Sequence, residues 1–411
     1  MGPVPLSSDH MSAPRTVPNA LVGVLAAAAL LVGCTSSAEP DPAVPSVTHA
    51  TPSMAAGPAP APPAAPAPAA PACGDPAAVV AAMSTRDKLA QRLMVGVTGA
   101  ADARSVSENH RVGGVMVGSW SDLSMLTDGS LAGIATDATP LPLAVSVDEE
   151  GGRVSRLAGL IGAQPSPRQL AATSTPEQVR QIAFERGRKM RDMGITIDFA
   201  PVVDITDAPD GSVIGDRSFG ADPAQVTDYA GAYAAGLRQA GLLPVLKHFP
   251  GHGNGDGDTH TGGVVTPPLA DLQAHDLIPY RTLTTQAPVG VMVGHLEVPG
   301  LTGSEPASLS PPAYALLRSG DYGGPPFGGP VFTDDLSGMQ AITDRLGVAD
   351  AVLRSLQAGA DVALWLSTAE VPAVLDRLEQ AVAAGELTMP RIDESVMRII
   401  GMKGLSPRCG G

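Results

Sequence analysis

LPVLKHFPGHG, residues 243–253, is the stretch on which the fold reading turns. Its first half is apolar and closes on two ionisable groups, Lys247 and His248. Its second half carries Pro250, Gly251 and Gly253, which end a strand and do not start a helix. A short apolar run that ends in charge and drops into a loop fits a parallel strand covered by helices on both faces.

The same pattern recurs along the chain. Runs at 92–97 (RLMVGV), 113–118 (GGVMVG), 143–148 (LAVSVD), 195–200 (ITIDFA), 289–295 (VGVMVGH), 330–334 (PVFTD) and 360–366 (ADVALWL) bring the strand candidates to eight. Helical signals lie between them. Thr175-Pro176-Glu177 offers a cap, a proline at the first helical position and an acid in the first turn. Val179, Ile182, Ala183 and Met190 then share one face. Asp222-Pro223 opens a second helix with Val226, Tyr229, Ala230, Tyr233 and Leu237 on one stripe. Eight strands alternating with helices predict an α/β fold, a (β/α)8 barrel of TIM type, as a single catalytic domain over 73–411. The competitor is a doubly wound open sheet, disfavoured because no Gly-rich phosphate loop follows the first strands.

The ends of the predicted strands carry chemistry. Asp148 ends the third and leads into Glu149-Glu150-Gly151-Gly152-Arg153. Asp204 follows the fourth, Lys247 and His248 end the fifth, His295 ends the sixth, and Asp334 and Asp335 end the seventh. One charged strand end is ordinary solvation; five together, at the end where barrel enzymes keep their sites, predict a site. The loop after His252 is glycine-rich and contains Asp258-Thr259-His260, where a carboxylate can fix one tautomer of an imidazole and stabilise its protonated form. Asp334, rigidly placed on a strand end, suits a nucleophile. A metal site built from His248, His252, Asp256, Asp258 and His260 is disfavoured, because Pro250 and Gly251 prevent the helix that H-x-x-x-H spacing needs. A serine hydrolase is disfavoured by the lack of a G-x-S-x-G elbow.

Composition narrows the class. A formal net charge of −15 argues against a nucleic-acid partner. Aromatics at 3% argue against a broad platform for long polysaccharides. The first 33 residues read as an export signal, with Arg15 before the apolar run LVGVLAAAALLV at 21–32, shorter than the roughly 20 residues of a membrane span. Leu31-Val32-Gly33-Cys34 resembles a bacterial lipobox, which predicts lipidation of Cys34, attachment to the membrane and an extracytoplasmic location on its outer face. Residues 34–72 comprise that cysteine and a Pro/Ala-rich tether ending in PAPAPPAAPAPAAPA. Cys73 and Cys409 flank the remainder; in an oxidising compartment a disulfide between them is expected over two unpaired thiols.

KHFPGHG, the D-x-H whose histidine lies eight residues beyond His252, DEEGGRV and TDDLS together resemble glycoside hydrolase family 3. The likeness spans roughly 76–405 and is strongest to the single-domain β-N-acetylhexosaminidase branch in its actinobacterial lipoprotein form. The resemblance implies Asp334 as nucleophile, His260 as general acid/base and Asp258 as its partner. It implies that Asp148, Arg156, Arg217, Lys247 and His248 hold the sugar, with His252 shaping the loop, and that neither metal nor other cofactor is required. The implied reaction is retaining exo-hydrolysis of terminal β-linked GlcNAc from peptidoglycan fragments through a covalent glycosyl-Asp334 intermediate, by a monomer. A β-glucosidase, a phosphorylase of the same fold and a lipid-anchored sugar-binding protein are the alternatives.

Three departures from the family pattern stand out. Asn254-Gly255 replaces a frequent Asp-Thr, which bears on loop rigidity. Glu149 stands where Gln is frequent and is expected to alter the charge of the site. The second domain of larger members is not expected, so the acid/base must come from the barrel's own loop.

Overall fold

The computed structural model describes residues 74–404. The segments expected to form the export signal and the tether, and Cys34, Cys73 and Cys409 with the lipidation and pairing expected of them, lie outside the described residues. Each of the eight apolar runs forms a strand: β1 (Leu93–Val97), β2 (Gly114–Val117), β3 (Ala144–Val147), β4 (Ile197–Asp198), β5 (Leu243–Phe249), β6 (Gly290–Val293), β7 (Val331–Asp335) and β8 (Val362–Trp365). They pair in parallel in that order, and β8 pairs with β1, so the sheet is a closed (β/α)8 barrel and not an open doubly wound one.

The fourth strand is shorter than the six residues expected. Backbone bonds to the neighbouring strands continue on both sides of it, from the Thr196 and Phe199 amides to the Val145 and Val147 carbonyls and from the Val245 amide to the Ala200 carbonyl, until Pro201, which has no N–H to give. Pairing resumes only as a single bridge between Val202 and Lys247. That early exit frees the chain to place Asp204 beneath the end of β5.

Helices wrap the barrel for the local reasons the sequence gives. Pro176–Asp192 begins with a full capping box between Thr175 and Gln178. Pro223–Gln239 begins under the Asp222 carboxylate, which accepts from the Ala224 and Gln225 amides. Val179, Ala183, Met190, Val226, Ala230, Tyr233 and Leu237 are buried, while Ile182 and Tyr229 are half-buried. Burying each large apolar side chain contributes about 1.5–3 kcal/mol. The two helices touch at Gly236, where a β-carbon would sit 2.2 Å from the Arg180 carbonyl oxygen.

The two barrel ends are built differently. At the N-terminal end Asp361, fully buried, accepts from Arg318 at 2.6 Å, Arg398 at 3.1 Å, Ser395 Oγ at 2.8 Å and the Val331 amide at 2.9 Å. The charge of Asp361 is thus fully paired within the fold. At the C-terminal end the polar groups face a cavity. Among the described residues no helix is long and apolar enough to cross a membrane.

Candidate active site

The strand register sorts the C-terminal residues. Met116 pairs with Ser146, Val245 with Gly290, and Phe332 with Met292. Phe199 and Phe332 meet edge to face at 5.6 Å across the interior. Alternation along the strands then carries Asp148, Lys247 and Asp334 onto this inward face, one layer above the apolar core. They line a cavity of about 160 Å3 with Glu150, Arg156, Arg217, His248, His252 and His260. Larger cavities of about 590 and 540 Å3 open at the N-terminal end, away from these groups.

One wall is an ion-pair cluster. Lys247 Nζ donates to Asp148 Oδ1 at 2.5 Å and to Glu150 Oε1 at 2.7 Å. Arg217 grips both oxygens of Glu150 at 2.8 Å, the bidentate geometry its planar fork favours. Burial pushes the Glu150 carboxyl up, but Arg217 and Lys247 outweigh it and hold the group far below the usual carboxylate range. Burial lowers Lys247, and Asp148 and Glu150 more than reverse that. Glu150, Arg217 and Lys247 therefore stay charged, with the donors fixed in direction. The half-buried Arg156 guanidinium also lines the cavity and has no side-chain partner among the described residues.

His248 is held from below. Its Nδ1–H donates to Asp204 Oδ2 at 2.6 Å, and its Nε2 faces Arg217 Nη2 at 3.5 Å. Asp204 also accepts from the His248 amide at 3.2 Å and the His252 amide at 2.7 Å, so one carboxylate fixes the whole turn after β5. Burial raises Asp204, and His248 and His252 bring it below its ordinary value. The Lys247–His248 and Phe249–Pro250 peptides in this turn are cis.

Asp334 sits at the end of β7 with Oδ1 accepting from the Asp335 amide at 2.9 Å. Burial pushes its carboxyl up, yet the nearby His248, His295 and Lys247 hold it below the ordinary range. It is an anion aimed into the cavity. Its neighbour Asp335 points elsewhere and caps the next turn, accepting from the Ser337 and Gly338 amides at 2.8 and 2.9 Å. His295 lies beneath: Nε2–H donates to the Asp335 carbonyl at 2.7 Å, leaving Nδ1 to accept from Ser308 Oγ at 2.7 Å.

The third component is the loop from 251 to 263. Its base is fixed, because a β-carbon on Gly253 would lie 2.0 Å from the Ile205 carbonyl oxygen. Asn254 donates to the Ile205 carbonyl at 3.3 Å and to Asp276 Oδ1 at 3.1 Å. Asn254-Gly255 thus anchors the loop, against the concern its departure raised for rigidity. Asp256 accepts from the Val265 amide at 2.7 Å, where Val264–Val265 pairs with Leu296–Glu297. Above this base, His260 Nδ1–H donates to Asp258 Oδ1 at 2.8 Å, with His260 side chain 59% exposed. His260 Nε2 is left free for proton transfer.

Every residue predicted for the site is accounted for here. Asp148, Arg156, Arg217, Lys247, His248, His260 and Asp334 line one cavity, and Asp258 stands behind His260. Glu149 is a correction. It was expected to alter the charge of the site, but it is fully buried on the opposite face of the Glu149–Gly151 hairpin strand. There it pairs with Arg186 at 2.5 Å and accepts from the Arg156 and Leu157 amides at 2.8 and 2.9 Å. Successive residues of an extended strand point to opposite sides, so Glu150, not Glu149, meets the cavity. Glu150 and Asp204 received no role from sequence, and only their places in DEEGGRV and after the fourth strand could have marked them.

A closed barrel with an ionised carboxylate, a free imidazole and directed cations around a sugar-sized cavity defines a glycoside-cleaving enzyme. Comparison with known proteins gives the family. Residues 84–402 match the Glycosyl hydrolase family 3 N terminal domain, and the chain belongs to this family. It is 63% identical over 411 residues to Beta-hexosaminidase LpqI of Mycobacterium tuberculosis, covering 97% of this chain and 100% of that one. The solved structure of M. tuberculosis LpqI superposes with a TM-score of 0.81 at 68% identity, over 82% of this chain and 98% of that one. A family 3 glycosyl hydrolase from Mycobacterium smegmatis gives a TM-score of 0.79 at 71% identity, over 79% and 98%.

Proposed function

We propose that this protein is a retaining exo-β-N-acetylhexosaminidase that removes terminal β-linked GlcNAc from peptidoglycan fragments. The observation that carries the reading is the meeting, around one cavity of about 160 Å3, of ionised Asp334 and the His260–Asp258 pair. The sugar-recognition part rests on similarity to a protein named beta-hexosaminidase. The cavity is the size of one sugar ring and so suits an exo enzyme.

The steps follow from the groups. Lys247, Arg217, Asp148, Arg156 and His248 take the hydroxyls of the terminal sugar and fix the ring. Asp334 attacks the anomeric carbon while protonated His260 gives its Nε2 proton to the glycosidic oxygen, and the bond to the leaving sugar breaks. A glycosyl ester on Asp334 results. Neutral His260 then takes a proton from water, whose oxygen displaces Asp334 and restores the β configuration. Asp258 stabilises the imidazolium in both half-reactions.

Location belongs to the same proposal. Lipidation at Cys34 with the tether to residue 72 would hold a monomeric enzyme on the outer face of the membrane, within reach of wall fragments.

The test is hydrolysis of aryl β-GlcNAc and aryl β-glucoside, with and without phosphate, by wild type and Asp334→Ala. GlcNAc release by water and a loss of about 10⁴-fold or more in the variant are expected. A slow fluorinated GlcNAc donor should leave its mass on the peptide containing Asp334. Undiminished turnover in Asp334→Ala would remove the nucleophile assignment, and faster release with phosphate would make the enzyme a phosphorylase.

A further inference from the structure

Trp120 stands outside every role assigned so far. It follows β2 by three residues, at the C-terminal end of the barrel. The β2–β3 register sets Met116 beside Ser146. Two residues further on, the same inward face is continued by Gly118 on one side and Asp148 on the other. A β-carbon on Gly118 would come within 2.3 Å of the Trp120 indole. The ring therefore lies over the inward side of Gly118, at the barrel mouth and level with Asp148. The absence of a side chain at position 118 is what gives it room.

The ring is held there by its own turn. Ser121 Oγ donates to the Val97 carbonyl at 2.6 Å and accepts from the Gly118 amide at 3.1 Å, and the Asp122 amide donates to the Thr98 carbonyl at 2.8 Å. Yet Trp120 is 41% exposed, while every other aromatic among the described residues is buried or half-buried. A fixed indole with an open face at the mouth of a site is a surface built to be covered.

We propose that Trp120 is the platform on which the pyranose ring of the leaving group stacks. The inference rests on the glycosidase reading above. The cavity of about 160 Å3 takes one ring, so the next ring lies at the rim. The charged wall of Asp148, Glu150, Arg217 and Lys247 reads hydroxyls and belongs to the terminal sugar. Trp120 does not line that cavity; it offers an apolar face whose negative π-cloud suits the C–H side of a sugar ring. Recognition through C–H groups constrains little about substituents, so this subsite would accept leaving sugars that differ in their side groups.

Two donors separate this role from a general one. A GlcNAc-β-(1,4)-GlcNAc disaccharide has a pyranose leaving group, and β-GlcNAc fluoride has none. For Trp120→Ala, the ratio of kcat/KM on the disaccharide to that on the fluoride should fall about tenfold. Trp120→Phe should restore most of it. An unmoved ratio, whether both rates hold or both fall together, would overturn the proposal. A wild-type enzyme that cleaves neither donor would instead overturn the underlying reading of function.

Discussion

Two Asp–His pairs beside the candidate site, His248–Asp204 and His260–Asp258, share one chemistry in opposite surroundings. His248 and Asp204 meet at 2.6 Å with side chains 7% and 0% exposed. His260 and Asp258 meet at 2.8 Å with side chains 59% and 35% exposed. In each pair Nδ1–H donates to the carboxylate. The buried pair has its other nitrogen turned to Arg217 and its carboxylate tied to two backbone amides. The exposed pair leaves its Nε2 without a fixed partner. Burial makes an imidazole a positioned group, whereas a loop with water access makes it a carrier of protons. A proton carrier must also change state twice per turnover, which a group locked in a charged cluster does only at a cost.

Breaking the exposed pair at its histidine should have the largest effect on rate. His260→Ala is expected to lower kcat by about 10²–10⁴ for sugar leaving groups, and far less for activated aryl ones. The basic limb of the pH–rate profile should flatten with it. An equal loss on both donors would place proton transfer elsewhere.

Breaking the buried pair should appear first in stability. Asp204→Ala removes a carboxylate that holds His248 and the His252 amide, and loss of one partner of a buried pair costs about 3–5 kcal/mol. For a domain of this size the melting temperature should fall by about 5–10 °C. Native Asp204 is depressed below its ordinary value, so its stabilisation is fully present above the unfolded value near 4 and fades as pH drops through the lower native one. The deficit of the variant should therefore be full at pH 7 and shrink only in strong acid. A variant melting with the wild type would show the turn to be held by other contacts.

Asp258→Asn sharpens the contrast more gently. It keeps the shape of the exposed pair and removes its charge, so kcat should drop about tenfold with the melting temperature within a degree or two. A large fall in melting temperature would make Asp258 structural.

The smallest effect is expected at Asp198, a buried carboxyl with one oxygen unpartnered. Burial, then the nearby Glu149, raise it well above its usual value. A carboxyl raised on folding keeps its proton in the native state and costs stability increasingly as pH rises above the unfolded value. Asp198→Asn should raise the melting temperature by a few degrees at pH 8 and by less at pH 5. The reverse ordering would mean that Asp198 is ionised in the fold.

Much of this was readable from the chain, for a physical reason. Parallel strands covered on both faces are apolar throughout, so 113–118 or 289–295 announces itself, and a charge at its end announces the mouth of the barrel. What was not readable is pairing over distance. Lys247 finds Asp148 99 residues away, and Arg217 finds Glu150 67 residues away. No local pattern marks which acid of Asp148-Glu149-Glu150 turns inward, because that depends on a two-strand hairpin forming directly after β3. The extent of β4 was overestimated because Phe199 and Ala200 keep the strand's apolar composition and some of its backbone bonds although regular pairing is confined to Ile197–Asp198.

The pair of Glu149 and Arg186 has a consequence for descent. Glutamine at position 149 would leave the Arg186 guanidinium buried opposite a neutral amide, and replacement of Arg186 alone would strand a buried carboxylate. Each single step passes through a poorer fold, although a joint change need not. The two positions should therefore be inherited as a unit, so that a lineage holding Glu149 keeps Arg186 for as long as the hairpin above them presents Asp148 and Glu150 to the sugar.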